Sequence, residues 1–194
     1  MNKQPERTAK TKQALIDAFW VLYKEKSIEK ITIKEITAGA GFYRSTFYEY
    51  FGSVYDVLAE VESELMCEIE KVFPSIFTAQ NMQQVFNNVV IFYESNGSRL
   101  AVLLGPTGDQ NFISEVKALM KKIITEHFNV DPTDIHLDLS IDMVSSSIIS
   151  MLQYWYTHRD SLPLEDALKT GSNILQNGIM PQFKRMGISL PWFA

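Results

Sequence analysis

Residues 32–53 read TIKEITAGAGFYRSTFYEYFGS, and this stretch decides how the N-terminal part of the chain folds. Thr32 followed by Glu35 forms a capping box, in which each side chain bonds the other residue's backbone N–H at the start of a helix. Gly41 can adopt the left-handed conformation that ends a helix. The pattern therefore predicts a short helix that is capped at both ends and followed by a tight turn.

A third short helix is predicted directly after this turn, at about residues 44–51. It places Phe47 and Phe51 on one face, because residues four apart are neighbours on a helix. Two short helices joined by a glycine-containing turn describe a helix-turn-helix, whose second helix enters the DNA major groove. Aromatic residues with hydroxyl groups are also common at the edge of a core, so each one alone is weak support for DNA binding. The other face of this helix carries Tyr43, Arg44, Ser45, Thr46, Tyr48, Glu49 and Tyr50.

The rest of the chain also indicates helices. Apolar residues recur every three or four positions, with no sustained alternation of the kind that strands show. Turn-forming residues such as Gly52-Ser53, Pro74 and Asn96-Gly97 separate the segments. We therefore expect an all-α protein of about nine helices, with a helix-turn-helix DNA-binding domain at 1–52 and a second helical domain at 53–194. The helices are predicted at about 7–26, 33–40, 44–51, 54–72, 82–95, 99–104, 110–128, 134–158 and 164–185.

The charge is unevenly divided along the chain. The net charge is −5, yet residues 1–55 hold nine Lys or Arg and six Asp or Glu, and the remaining residues hold nine and 17. A basic N-terminal quarter on an acidic body hints at nucleic acid. Solvated helix faces produce the same asymmetry, so this observation supports DNA binding without deciding it.

The composition predicts a cytoplasmic protein without membrane partners. The 46% of hydrophobic and 21% of charged residues are typical of soluble globular proteins. No run approaches the roughly 18 apolar residues of a membrane helix, and the polar, basic residues 1–12 do not resemble a secretory signal. A single cysteine, Cys67, fits a reducing compartment.

The stretch from Thr32 to Ser53 resembles the DNA-binding signature of the TetR/AcrR family of bacterial repressors. That signature has a Thr-capped second helix, an Ala-Gly-Val-Ser turn and a Thr-x-Tyr-x-His/Tyr-Phe recognition helix. Residues 11–19 resemble the first helix of the family, and the likeness covers about residues 8–60. It implies phosphate contacts from Thr32, Thr46, Tyr48 and Tyr50, and base-edge contacts from Arg44 together with Ser45 and Tyr43.

Three positions depart from the family pattern. Tyr43 stands where a Ser usually caps the recognition helix, so that cap comes from elsewhere or is absent. Tyr50 stands where His is common, which suits a phosphate contact equally. Val54 stands where Lys is usual, and the loss of one phosphate-facing charge should weaken non-specific binding to DNA.

The resemblance also implies a C-terminal domain that binds a small-molecule effector and forms a homodimer through its last two helices, here at about 134–158 and 164–185. The first of these helices is apolar on more than one face, so it needs cover on both sides. The second of these helices carries small residues along one strip, including Gly171 and Gly178. A buried helical hairpin within one chain is the alternative. Residues of a kind that lines both pockets and cores are Phe86, Phe92, Tyr93, Met151, Tyr154 and Trp155.

No catalytic residues, metal ligands or cofactor site are predicted, because His127, His136 and His158 show no recognisable ligand spacing. The sequence thus predicts a dimeric transcriptional regulator, a repressor by preference, that binds a palindromic operator and is released by a small-molecule ligand. One alternative is an all-α small-molecule-binding protein or enzyme with structural N-terminal helices. Another is a protein–protein adaptor.

Overall fold

The computed structural model describes residues 3–105 and 108–178, with side chains from residue 8 onward. These ranges form eight α-helices, one 3-10 turn at Ile28–Lys30 and no strand, which confirms the all-α prediction. The chain divides into two compact units, residues 1–68 and 69–194. The helices are α1 (Lys3–Tyr23), α2 (Ile33–Ala40), α3 (Arg44–Tyr48), α4 (Val54–Phe77), α5 (Met82–Leu103), α6 (Gln110–Phe128), α7 (Ile135–Thr157) and α8 (Leu164–Asn177).

The predicted helix caps of the first unit are present. Thr32 Oγ1 accepts a hydrogen bond from the Glu35 N–H at 3.3 Å, and the Thr32 N–H donates to Glu35 Oε2 at 3.0 Å. Gly41 ends α2 with a φ of 74°. Asp56 accepts hydrogen bonds from the N–H groups of Gly52 and Ser53, so a second box opens α4. These local bonds explain why short helices form here with defined ends.

The core of the first unit is aromatic and aliphatic. Phe19 and Phe47 are fully buried, and the Phe47 ring lies 5.7 Å from that of Phe51. Val21, although apolar, is 60% exposed, whereas Tyr23 is buried. The buried face of α1 repeats every three to four residues, and Val21 falls outside that face.

Two predicted helix breaks do not occur. Asn96-Gly97 lies inside the continuous helix α5, where a separation into two helices was expected. Gly97 is needed for packing, because a Cβ at this position would lie 2.5 Å from the Tyr93 ring. Pro74 likewise lies inside α4, which continues to Phe77. Pro74 has no N–H to donate to the Glu70 carbonyl four residues before it, so α4 continues through this turn without that bond.

Several helix ends differ from the predicted ones. α1 begins earlier and ends at Tyr23, while α3 ends at Tyr48. α8 ends at Asn177, because Gly178 follows with a φ of 75° and stops the helix. Gly178 is therefore a helix terminator, where a mid-helix packing glycine was expected. The remainder of the predicted segment 164–185, from residue 179 onward, lies outside the described residues.

α7 is the most apolar helix. By length and composition it could cross a membrane, which for a single helix is weak evidence, and 17% of its apolar stretch is buried within the protein. Its Asp142 carboxylate accepts a hydrogen bond from Lys117 Nζ at 2.8 Å, and Asp138 pairs with Lys121. Both lysines belong to α6, so α7 packs against α6 within the helical domain. A second apolar face of α7 is exposed.

Candidate nucleic-acid interface and apolar cavity

The helix-turn-helix of the first unit is built on a close approach of α1 and α2. A Cβ at Gly39 would lie 3.3 Å from the Ala18 Cβ, so a larger residue would push the two helices apart. The buried Thr37 donates its hydroxyl to the Ile33 carbonyl at 2.9 Å, and the Phe42 N–H donates to the Thr37 carbonyl at 2.9 Å. These bonds fix the turn and so set the position of α3.

The outer face of α3 lies in solvent. Tyr43 is 84% exposed and Tyr48 is 55% exposed. Arg44 and Ser45 are also exposed, whereas Thr46 and Tyr50 are half-buried. Tyr43 occupies the N-cap position without a side-chain capping bond, in agreement with the expected loss of the Ser cap. This face therefore offers one guanidinium and several hydroxyl groups to a partner.

Arg44 is uncommitted within the described part of the chain, where it forms no hydrogen bond or ion pair. Lys12 and Lys26, by contrast, pair with Glu60 at 2.5 Å and with Glu35 at 2.6 Å. An unpaired arginine needs no rearrangement before it binds an acceptor, and its planar fork matches the O6 and N7 atoms of guanine. Further exposed cations of this unit are Lys10, Lys24, Lys30 and Lys34.

Thr32 differs from the other predicted contact residues, because its hydroxyl already donates a hydrogen bond within the protein. It donates to Glu35 Oε2 at 2.8 Å. The ammonium group of Lys26 and the hydroxyl of Thr32 lower the pKa of Glu35 from 4.5 to about 2. A phosphate contact from Thr32 would have to replace this bond. Sequence reasoning missed Lys26, since its pairing with Glu35 depends on how α1 and α2 pack.

The second unit contains a cavity of about 750 Å³ lined by residues of α4 to α8 and the loop before α8. Five of the six predicted ligand residues line it, namely Phe86, Phe92, Tyr93, Met151 and Tyr154. Trp155 does not. Its ring instead packs edge-on against the Tyr93 ring at 4.9 Å, and its indole N–H donates to the Leu162 carbonyl at 2.8 Å. Trp155 thus supports a lining residue without lining the cavity itself.

Sequence reasoning missed two walls of this cavity. The first is the end of α4, where apolar residues recur at the spacing of a single helix face. Ile69 and Val72 lie within the predicted helix and could have been found from this spacing, whereas Phe73 and Ile76 lie beyond its predicted end. The second is α8, whose Gly171 approaches the Met151 sulfur so closely that a Cβ would collide with it. The missed residues are Ile69, Val72, Phe73 and Ile76 on α4, and Ala167, Leu168, Thr170, Gly171, Ser172, Ile174, Leu175 and Gln176 on α8.

The cavity is almost wholly apolar. None of its described lining residues is charged. Tyr93 is 5% exposed, and burial raises the pKa of its hydroxyl well above the usual value. Across residues 3–105 and 108–178, no group of three or more His, Cys, Asp or Glu side chains is placed to hold a metal ion.

A family model described as a transcriptional regulator C-terminal region, of the TetR type, matches residues 80–177, just over half of the chain. The chain belongs to the TetR family of transcriptional regulators. The matched segment holds most of the cavity and all of α5 to α8. No curated protein matches the chain.

Solved structures agree with this TetR-family fold. A TetR transcriptional regulator from Streptococcus agalactiae is 24% identical, with a TM-score of 0.65 over 89% of this chain and 97% of that one. The fatty acid degradation regulator FadR from Bacillus halodurans is 15% identical, with a TM-score of 0.60 over 88% and 96%. FadR from Thermus thermophilus, a TetR-family repressor in complex with lauroyl-CoA, is 16% identical, with a TM-score of 0.51 over 87% and 95%.

Proposed function

We propose that this TetR-family regulator is a cytoplasmic repressor that binds a palindromic operator as a homodimer and leaves it when a small molecule fills the cavity. The observation that carries the proposal is the exposed, uncommitted outer face of α3. Arg44 provides base contacts there, and the neighbouring hydroxyl groups hold phosphates. Base contacts also come from Ser45 and Tyr43, and phosphate contacts from Thr46, Tyr48, Tyr50 and, after release of its cap, Thr32.

The homodimer is proposed from the apolar face that α7 leaves uncovered. Ile135, Leu139 and Met143 are 73%, 59% and 61% exposed, and they lie four residues apart on one face of the helix. Tyr154 and, on α8, Leu175 are also exposed. A contiguous apolar surface of this kind marks an interaction site. A second copy of the chain covers it in this proposal, with α7 and α8 forming a two-fold interface.

The effector site is proposed to be the cavity of the second unit. Its volume lies within the 300–1,000 Å³ that ligand pockets typically have. The lauroyl-CoA bound to FadR from Thermus thermophilus shows that a protein of similar fold holds a ligand with an apolar chain. Ligand binding would shift the dimer towards a shape whose recognition helices no longer fit half-sites about one helical turn apart.

We also propose that the protein is not an enzyme. An enzyme with structural N-terminal helices would have no reason to expose Arg44 and the hydroxyl groups beside it. An adaptor that binds a protein through the same face would dimerise without selecting any DNA sequence.

Selection from random DNA duplexes tests the proposal directly. The protein should enrich a roughly palindromic site, and its affinity should fall steeply as salt rises, since several phosphates lose their counterions on binding. An affinity that hardly changes between low and physiological salt, or a failure to enrich any site, would refute DNA recognition by α3.

Dimerisation is tested by analytical ultracentrifugation of the full chain at micromolar concentration. The unmodified protein should sediment as a dimer, and Leu139→Lys should shift it to the monomer by placing a charge in the proposed interface. Ile91→Lys is the matched control, because Ile91 is 64% exposed on α5 and should leave the dimer intact. A monomeric unmodified protein would exclude this interface.

A further inference from the structure

The described walls of the cavity contain no group that could neutralise a charged ligand. They lack Asp, Glu, Lys, Arg and His side chains. A charge moved from water into such surroundings loses its hydration without gaining a partner, which is far more costly than burying an apolar group. Such a lining disfavours any charged group that lies wholly inside the cavity.

Two polar residues of the lining, Ser147 and Gln176, are already partly engaged. Thr170 and Tyr154, which also line the cavity, are exposed to solvent. The Ser147 hydroxyl donates to the Met143 carbonyl at 2.8 Å. The Gln176 side-chain amide donates to Ser172 Oγ at 2.9 Å. Each hydrogen bond joins two residues of the same helix, α7 for Ser147 and α8 for Gln176. These bonds therefore persist whether or not a ligand fills the cavity.

Tyr93 is different from these residues. It is 5% exposed and lines the cavity, and its hydroxyl forms no hydrogen bond with any residue of the described ranges. Its ring is fixed on two sides, by the edge-on contact with Trp155 and by the space that Gly97 leaves for it. Buried tyrosine hydroxyls ordinarily have a partner. Here a bound molecule can supply it.

We infer that the cavity selects an uncharged, mainly apolar molecule with one hydrogen-bonding group that pairs with the Tyr93 hydroxyl, and that it rejects anions and cations of the same size. This inference rests on the proposed role of the cavity as the effector site, and it adds the chemical class of the effector. The raised pKa of Tyr93 means that its hydroxyl keeps its proton, so it can both donate and accept.

Three ten-carbon probes with different head groups test the charge rule by calorimetric titration of the full chain. Decan-1-ol should bind, while decanoate and decyltrimethylammonium should bind at least about tenfold more weakly, because each would bury an unpaired charge. Equal or tighter binding of either ion would overturn the inference, and so would an absence of binding by decan-1-ol.

The role of Tyr93 is tested by removal of its hydroxyl alone. Tyr93→Phe should weaken decan-1-ol binding about 2- to 10-fold, the range expected for one lost hydrogen bond. Tyr55→Phe is the matched control, since Tyr55 is 57% exposed and lies outside the cavity lining, and it should bind decan-1-ol unchanged. An unchanged affinity of Tyr93→Phe would show that the hydroxyl does not contact the ligand.

Occupancy of the cavity itself is tested by filling it. Val89→Phe should reduce decan-1-ol binding at least about fivefold, because the larger ring takes up cavity volume. Ile91→Phe, two residues away and outside the lining, should not. Thermal unfolding of both variants shows that they fold. Operator binding by the ligand-free protein is measured in parallel, so a failed charge rule with intact operator selection refutes the ligand class and leaves the DNA-binding function standing.

Discussion

The groups proposed to bind a partner face solvent in the first unit and face an internal cavity in the second. In the first, a closely packed core holds Arg44 and Tyr43 out in solvent, where polar groups meet a partner without any opening of the fold. In the second, helices pack around an apolar cavity, and the proposed effector-binding surface faces inward. A surface of the first kind is robust as long as its core is intact. A surface of the second kind is altered by any substitution that changes the volume of the cavity.

The largest expected effect comes from the core beneath α3. Phe47→Ala should destabilise the first unit by about 3–5 kcal/mol, because Phe47 is fully buried and the truncation leaves a cavity. Urea unfolding followed by Trp20 fluorescence and by circular dichroism measures this loss. Tyr48→Ala, at the exposed neighbouring position, should cost far less. Equal losses for the two variants would mean that the core does not hold α3 in place.

The surface itself is tested at Arg44. Arg44→Ala should reduce operator affinity by about 1–3 kcal/mol and relax the preference at one base pair. Tyr48→Phe should weaken binding to all sequences about equally, as expected for a phosphate contact. Electrophoretic mobility shifts on a set of operators with single base-pair changes separate the two patterns. If Arg44→Ala also weakens all sequences equally, Arg44 holds phosphate and does not read a base.

The inward-facing surface is tested at Gly97. Alanine in place of a mid-helix glycine normally stabilises a helix by about 1 kcal/mol. Gly97→Ala should instead destabilise the second unit by about 1–3 kcal/mol, because the added methyl group meets the Tyr93 ring. Thermal unfolding measures the change. Ser98→Ala, at the next and exposed position, should be neutral or slightly stabilising. A gain in stability from Gly97→Ala would show that Tyr93 moves freely.

The smallest effect is a pH dependence in the first unit. The ion pair with Lys26 and the bonds with Thr32 hold the pKa of Glu35 at about 2, below its usual 4.5. A carboxylate whose pKa is lower in the folded state stabilises the fold above the unfolded pKa, and this contribution is lost as the pH falls from about 4.5 towards 2. Nuclear magnetic resonance titration should show the low pKa in the unmodified protein and a higher one in Lys26→Met. An unchanged pKa in the variant would assign the shift to the capping box alone.

Local patterns made the first unit largely predictable. The capping box at Thr32 and the left-handed Gly41 depend on residues within a few positions of each other, and the structure contains both. The exposed face of α3 follows from the burial of Phe47 on the opposite side. What could not be predicted was the pairing of Lys26 with Glu35, because it depends on how two helices pack.

In the second unit, the types of residue that line the cavity could be predicted, but the arrangement of the helices that carry them was harder to predict. Five of the six predicted ligand residues line the cavity, and all six were chosen for their aromatic or methionine character, which is independent of exact helix boundaries. Pro74 and Gly97 were misread, because their usual helix-breaking effect is overridden here. Gly97 accommodates a ring from its own helix, and the helix around Pro74 tolerates the missing N–H. Such compensation depends on tertiary neighbours that a local pattern does not contain.

The edge-on contact of Trp155 with Tyr93 gives the protein a built-in optical reporter. An indole is the strongest natural fluorophore of a protein, and this one lies directly behind a cavity-lining ring, with its N–H held by the Leu162 carbonyl. A molecule that displaces the Tyr93 ring would change the surroundings of the indole and therefore its emission. Occupancy of the cavity could then be followed in solution without any label, in a variant whose other two tryptophans, Trp20 and Trp192, are replaced by Phe.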